Sequence, residues 1–205
     1  MSATEEKSSV FLAVLELFCT ILAKIHDAPD GLNPASDFHD RNTYDHLIAV
    51  EAAAMQMGQT DAQNPKEADK LLMAARLHDL GKLRVWDPEK KTFHKHEKAS
   101  ADIIRASGID VPADVTAVVE HHGWIRNVTS ASDKGFKKFL RKLYLESGAT
   151  TFEEQAKVTE LYYRLQVADA AGFSPEGSTQ RMFEAKKFLD KALGTKDTPG
   201  LIESL

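Results

Sequence analysis

Residues 77 to 83 read LHDLGKL, a histidine beside an aspartate in an apolar helical run. A carboxylate placed there loses its water, which is costly unless a cation or hydrogen-bond donors meet it. Other polar residues keep similar company: His46, His96, the adjacent His121 and His122, and Asp169. Taken singly, each reads as a satisfied core residue. Taken together, each near a helix end or on an apolar stripe, they read as one shared site for one or two divalent cations. Imidazoles and carboxylates without thiolates suit Mn, Fe, Co, Ni or Zn, with Mg at the oxygen-rich end. His78 and Asp79 can both reach an ion if their helix end points into the site, and the two oxygens of Asp79 can bridge a pair. Such ions generate hydroxide at neutral pH and clamp the attacking and leaving oxygens of a phosphoryl displacement.

The elements that must position these residues read as helices. Thr43 opens one that runs to Gly58 and carries His46. Asn64 (as cap), Pro65 and Glu67 open the next, which puts Leu71, Leu72, Ala75 and His78 on one face, with Asp79 at its border and Gly81 as its stop. A charged loop over 84–94 leads to an amphipathic helix over 95–108. Helices follow over 111–123 and 133–148. TFEE at 151–154 is a capping-box start, and its helix aligns Val158, Leu161, Leu165 and Asp169. A last helix covers 179–193, ahead of a loose tail. Residues 27–42 are a turn-rich connection. No strand pairs, repeats or linkers stand out, so the expectation is one all-α domain over 1–205, its core at about 43–172, with terminal helices over 9–26 and 179–193 packed on it.

Composition narrows the function. Hydrophobic residues make up 42% and charged residues 28%, as in ordinary globular chains. The net charge of −5 favours a small substrate over a nucleic-acid backbone. The single cysteine, Cys19, allows no intrachain disulfide, and MSATEEKSS lacks the basic start of a secretory signal, so a cytoplasmic protein is expected. The apolar stretch over 10–25 carries Glu16 and Lys24 and is too short to span a bilayer comfortably. Phe11, Leu15, Phe18, Leu22 and Ile25 make it a core helix, with a homodimer contact as the lesser reading.

HDLGK at 78–82, with these ordered partners, resembles the signature of the HD superfamily of metal-dependent phosphohydrolases, H…HD…D. The pattern falls on His46, His78, Asp79 and Asp169. Its extra histidines fall on His96 and on His121 or His122, as in two-metal branches. FHKHEKASADII and LQVADAAG also resemble the HD domains of CCA-adding tRNA nucleotidyltransferases. The resemblance implies an HD-type helical bundle and hydrolysis of a phosphomonoester or phosphodiester, of a nucleotide or a nucleic-acid end. HHGWIRNVTS has no GYP after its paired histidines, which leaves cyclic-dinucleotide specificity unsupported. Asn42 stands where some members place an extra glutamate ligand, which argues against a third metal. A di-iron oxygenase and a non-catalytic regulatory module are the alternatives, because ligand types do not report redox chemistry.

Other residues receive conditional roles. Lys82, part of the family pattern, contacts substrate phosphate or holds the bridging Asp79. Periodicity does not separate His121 from His122, and His122 is either a ligand or a phosphate contact. Arg126 follows closely and is a phosphate candidate. Trp86, Phe93 and Trp124 flank the ligands, where they stack on a base or simply pack. KGFKKFLRK at 134–142 is a nucleic-acid face or, the preferred reading, a solvated helix face. His26, His39 and His94 receive no role.

Overall fold

In the computed structural model, residues 3–28, 42–60 and 64–194 are described. The expected connection over 27–42, with His39, and the tail after Gly194 lie largely outside them. The helices in chain order are α1 (Ala3–His26), α2 (Thr43–Thr60), α3 (Pro65–Leu77), α4 (Lys82–Val85), α5 (His96–Ala106), α6 (Ala113–His121), α7 (Ile125–Ser130), α8 (Asp133–Ser147), α9 (Phe152–Ala170) and α10 (Pro175–Gly194). A 3-10 turn, His122–Trp124, joins α6 to α7. Among the described residues the β pairing is one isolated bridge between Asp87 and Thr92. The all-α expectation holds.

α3 is the central element, packed on α1, α2, α6 and α9. Leu71, Ala75 and His78 are buried as its spacing predicts, while Leu72 is half-buried. Its start differs from expectation: the Asn64 side chain makes no cap bond, and the Asn64 carbonyl accepts from Glu67 N and Ala68 N instead. Asn42 does cap, its Oδ1 accepting from Asp45 N at 2.8 Å. That gives the residue standing at the family's glutamate position a helix-starting role.

α1 is longer than expected. Val14, Phe18, Ile21, Leu22 and Ile25 face the core, one step round from the expected stripe. Phe11 and Leu15 are only half-buried, and Phe11 lies beneath the Arg76 guanidinium at 4.9 Å. By length and composition alone, Ser9–His26 is apolar enough to cross a membrane. Here its inward face is packed against α3 and α2.

The carbonyls that end α6 are met by α9. Tyr162 Oη donates to His121 O at 3.1 Å and Gln166 Nε2 donates to His122 O at 3.0 Å. Both satisfy carbonyls that a helix end leaves without partners. The Thr151–Glu154 capping box that starts α9 is present as expected.

Gly81 does not stop α3 by a left-handed turn. Its φ is −65°, and the chain tightens through bonds from Leu80 N to Leu77 O, Lys82 N to Asp79 O and Arg84 N to Gly81 O. Glycine is needed for another reason. An added Cβ would meet His96 O at 2.2 Å and Ser100 N at 2.4 Å, both backbone atoms of α5. Ser100 fastens this contact: its hydroxyl donates to His78 O at 2.7 Å and accepts from Gly81 N at 2.8 Å.

Gly81→Ala should therefore destabilise the chain by about 1–3 kcal/mol, the usual cost of overpacking. Urea denaturation should show a lowered midpoint. A midpoint equal to wild type would contradict the close approach of the turn to α5.

Candidate metal centre

Four imidazoles and two carboxylates converge where α2, α3, α5, α6 and α9 bring their ends and buried faces together. Asp79 is at the centre, 2% exposed. Its Oδ2 faces His46 Nε2 at 3.2 Å and His78 Nε2 at 3.4 Å. Its Oδ1 faces His96 Nε2 at 3.2 Å and His122 Nε2 at 3.3 Å. Asp169 Oδ1 lies 3.1 Å from His46 Nε2 and 3.4 Å from His78 Nε2. Two donor sets thus share one carboxylate.

Backbone carbonyls aim three of the rings. His78 Nδ1 donates to Ala75 O at 2.8 Å, His122 Nδ1 to Val119 O at 2.8 Å and His96 Nδ1 to Phe93 O at 2.9 Å. In each case the carbonyl is three residues back. The carbonyls of Ala75 and Val119 lie in the last turn of a helix, where they are free to accept. A carbonyl only accepts, so Nδ1 carries hydrogen and Nε2 of a neutral ring presents a lone pair. Those lone pairs look onto carboxylate oxygens, acceptor facing acceptor, and Asp79 Oδ1 accepts no hydrogen bond. A proton or a cation between them relieves this. The donor atoms of His46, His78 and Asp169, and those of His78, Asp79 and His122, lie within 4.8 Å of one another. That spacing admits a cation bonded to each at about 2.0–2.2 Å, so the residues present fit a divalent metal.

The electrostatics agree. Burial opposes a charge on His78, but Asp79 and Asp169 outweigh it and raise the imidazole to about 10. Burial would raise Asp79, yet Lys82 and His78 hold its carboxyl well below the usual range. Burial pushes His122 down, toward the neutral form that ligates metals.

Each carboxylate has a fixed cation on its outer side. Lys82 Nζ is 2.6 Å from Asp79 Oδ2. The 3-10-type turn explains the contact, because residues i and i+3 eclipse there. Arg181 on α10 donates to Asp169 Oδ2, opposes the effect of burial and keeps that carboxyl well below the usual range. Phe173 is wedged beside this pair, 5.1 Å from the Arg181 guanidinium and edge-on to His46 at 5.4 Å. A Cβ at Gly172 would come within 2.1 Å of His46 Nδ1, so glycine makes room for that ring.

α10 starts four residues earlier than expected, and the role of Arg181, which lies inside the expected helix, was missed because its pairing with Asp169 is a tertiary contact. Ser174 Oγ accepts from Gly177 N at 3.2 Å with Pro175 in the first turn, a cap signature that Gly177 obscures. Of the paired histidines, only His122 enters the cluster. His121 is the correction: about 100° separates successive helical side chains, and its Nε2 turns to Glu146 on α8 at 2.5 Å. Its ring packs edge-on against Trp124 and Phe139.

An open cleft of about 970 Å³ leads to the cluster. Lys82, Arg126 and Arg181 line it, and so does His94, which was given no role. Trp86 and Phe93 stack on each other at 4.6 Å between centroids, and Trp124 is not among the lining residues. The basic α8 contributes nothing to the cleft. Its Phe136, Phe139, Leu140 and Leu143 point inward, as a solvated amphipathic helix requires.

The family model described as HD domain matches residues 43–169, from the start of α2 to Asp169. No curated protein and no solved structure matches the chain, so the narrower likeness to CCA-adding enzymes gains no support.

Mn²⁺ titration followed by calorimetry should separate the paired histidines: His122→Gln should weaken binding by about 10–100-fold or more, whereas His121→Gln should retain it. Equal losses would contradict the assignment. Because bound metal displaces the His78 proton, affinity should fall as pH falls, by about tenfold per pH unit for each proton displaced. Affinity independent of pH between about 6 and 8 would contradict this linkage.

Proposed function

This chain belongs to the HD-domain family, and we propose on that footing that it is a metal-dependent phosphohydrolase, acting on a phosphomonoester or phosphodiester of a nucleotide or nucleic-acid end. The observation that carries the reading is the two-sided environment of Asp79, with one oxygen toward His46 and His78 and the other toward His96 and His122.

One or two divalent ions, when bound, supply hydroxide near neutral pH and polarise the phosphoryl oxygens. His46, His78, Asp79, His96, His122 and Asp169 are the residues that would hold them. Asp79 offers an oxygen to each donor set. Lys82 fixes the Asp79 carboxylate, and its ammonium has three donors of which this contact uses one. The others are available to a phosphate in the cleft that Lys82 lines. Arg126 lines the same cleft from α7 and would share that charge. Arg181 keeps Asp169 ionised and oriented. The cleft is at the upper end of the sizes that enclose small ligands, about 300–1,000 Å³, which supports a small phosphorylated substrate.

The test is a phosphoester panel with Mn, Mg, Co, Ni and Fe, covering nucleoside mono- and triphosphates, 2′,3′- and 3′,5′-cyclic nucleotides and an aryl phosphate. Hydrolysis of at least one class is expected with at least one metal, and Asp79→Asn should lower kcat/KM by about 10²–10³-fold or more. No hydrolysis with any metal would overturn the reading, and substrate-dependent oxygen consumption by the iron-loaded protein would replace it.

A further inference from the structure

The cleft has a second band of positive charge, apart from the cations that serve the cluster. Lys90, Lys91 and Lys95 line it from the segment that joins α4 to α5. This segment is braced rather than slack. Asp87 N donates to Thr92 O at 3.0 Å and Thr92 N to Asp87 O at 3.3 Å. Asp87 Oδ1 accepts from Glu89 N and Lys90 N, each at 3.1 Å. The stacked Trp86 and Phe93 close its neck. Lys91 within the tip and Lys95 just before α5 take φ of 50° and 63°, the left-handed region that side chains other than glycine avoid. These are the two positive-φ non-glycine residues among those described, and such strain concentrates where side chains are being placed for function.

The charge on this wall is unevenly used. Lys90 Nζ pairs with Asp87 Oδ2 at 2.9 Å. On the floor, Lys82 and Arg181 are committed to Asp79 and Asp169. Lys91 and Lys95 form no ion pair among the described residues, yet both face the same cleft. The cluster's cations are therefore paired with its own carboxylates, and of the other cleft carboxylates Asp87 holds Lys90 and Glu97 lies beside His96, which leaves Lys91 and Lys95 without an ion pair among the described residues. A single phosphate at the cluster would be met by Lys82 and Arg126, which line the cleft there. Nor do the cleft's rings supply selectivity of another kind, since Phe93 has Lys82 over it at 5.2 Å and Phe173 has Arg181 at 5.1 Å. We infer that the substrate is a small molecule bearing a second phosphate besides the one hydrolysed, and that Lys91 and Lys95 bind it. This rests on the phosphohydrolase reading and deepens it by naming the substrate class. A nucleic-acid strand is the less favoured source of that second phosphate, because the basic face of α8 does not reach the cleft and the net charge is −5.

The test compares propyl phosphate with propane-1,3-diyl bisphosphate on the Mn²⁺-loaded full chain. Phosphate release gives kcat/KM, and calorimetry gives binding. The bisphosphate should be preferred by about tenfold at low salt, as two lysine contacts at a solvated rim allow, and the preference should shrink as salt screens it. The double variant Lys91→Asn, Lys95→Asn removes both charges with a residue that tolerates left-handed φ. It should bring the ratio close to one, while Lys157→Asn, on the outer face of α9, should keep the wild-type ratio. Equal kcat/KM for the two compounds in wild type, or a ratio untouched by the double variant, would overturn the inference and leave the hydrolase reading standing. If neither compound is hydrolysed but calorimetry still shows a bisphosphate preference that the double variant loses, the wall stands, and the hydrolase reading fails once the full phosphoester and metal panel also shows no hydrolysis. A short 5′-phosphorylated oligothymidylate that outcompetes the bisphosphate, and loses this advantage in the double variant, would overturn the small-molecule assignment in favour of a strand.

Discussion

Asp79 has a buried carboxylate with an imidazole pair on each of its two oxygens, and much of the fold can be understood as the means of keeping it there. A carboxylate so placed is tolerable only with its charge met on every side. Lys82 meets it from the next turn, and the four Nε2 atoms leave space in which a divalent cation would complete the balance. The helices supply more than scaffolding. The carbonyls of Ala75 and Val119 at helix ends, and of Phe93 just before α5, orient His78, His122 and His96 by the same three-residue return. Placing ligands at helix ends therefore serves two needs at once: it uses carbonyls that would otherwise lack donors and it fixes which ring nitrogen faces inward.

The second requirement is that separate helices be brought to backbone contact. Gly81 lets the turn after α3 touch α5, and Ser100 locks that contact with two hydrogen bonds. Gly172 lets His46 close on the end of α9. Tyr162 and Gln166 hold the end of α6 from α9. α10 then adds Arg181 beyond the family-matched residues, so the chain's own C-terminal helix completes the electrostatics of Asp169. The small residues and hydroxyls in these contacts are as necessary as the ligands, because a displacement of an ångström at one helix end would separate the two donor sets.

The sequence revealed the clustered polar residues better than their surroundings. His46, His78, Asp79, His96 and Asp169 were legible because polar residues in apolar helical company are conspicuous, and because their order and spacing match a known pattern. The choice between His121 and His122 was not legible, since both lie within a turn of Val118 and only the packing of α8 shows which ring is claimed by Glu146. Arg181 lies within the expected last helix but its pairing with Asp169 has no local signal, and Gly81 was legible as important but for the wrong reason. Its value lies in the distance to another helix, which no local pattern encodes. The braced tip over 87–92 read only as a charged loop, because the Asp87–Thr92 bridge and the left-handed lysines are visible only in three dimensions.

The account stands or falls on a cation lying between Asp79 and the imidazoles. Anomalous diffraction from crystals equilibrated with Mn²⁺ measures this directly. A peak is expected at about 2.0–2.2 Å from an Asp79 oxygen and from at least two Nε2 atoms of the cluster. Fully loaded crystals with no peak there, or with Mn²⁺ bound only elsewhere on the chain, would contradict it.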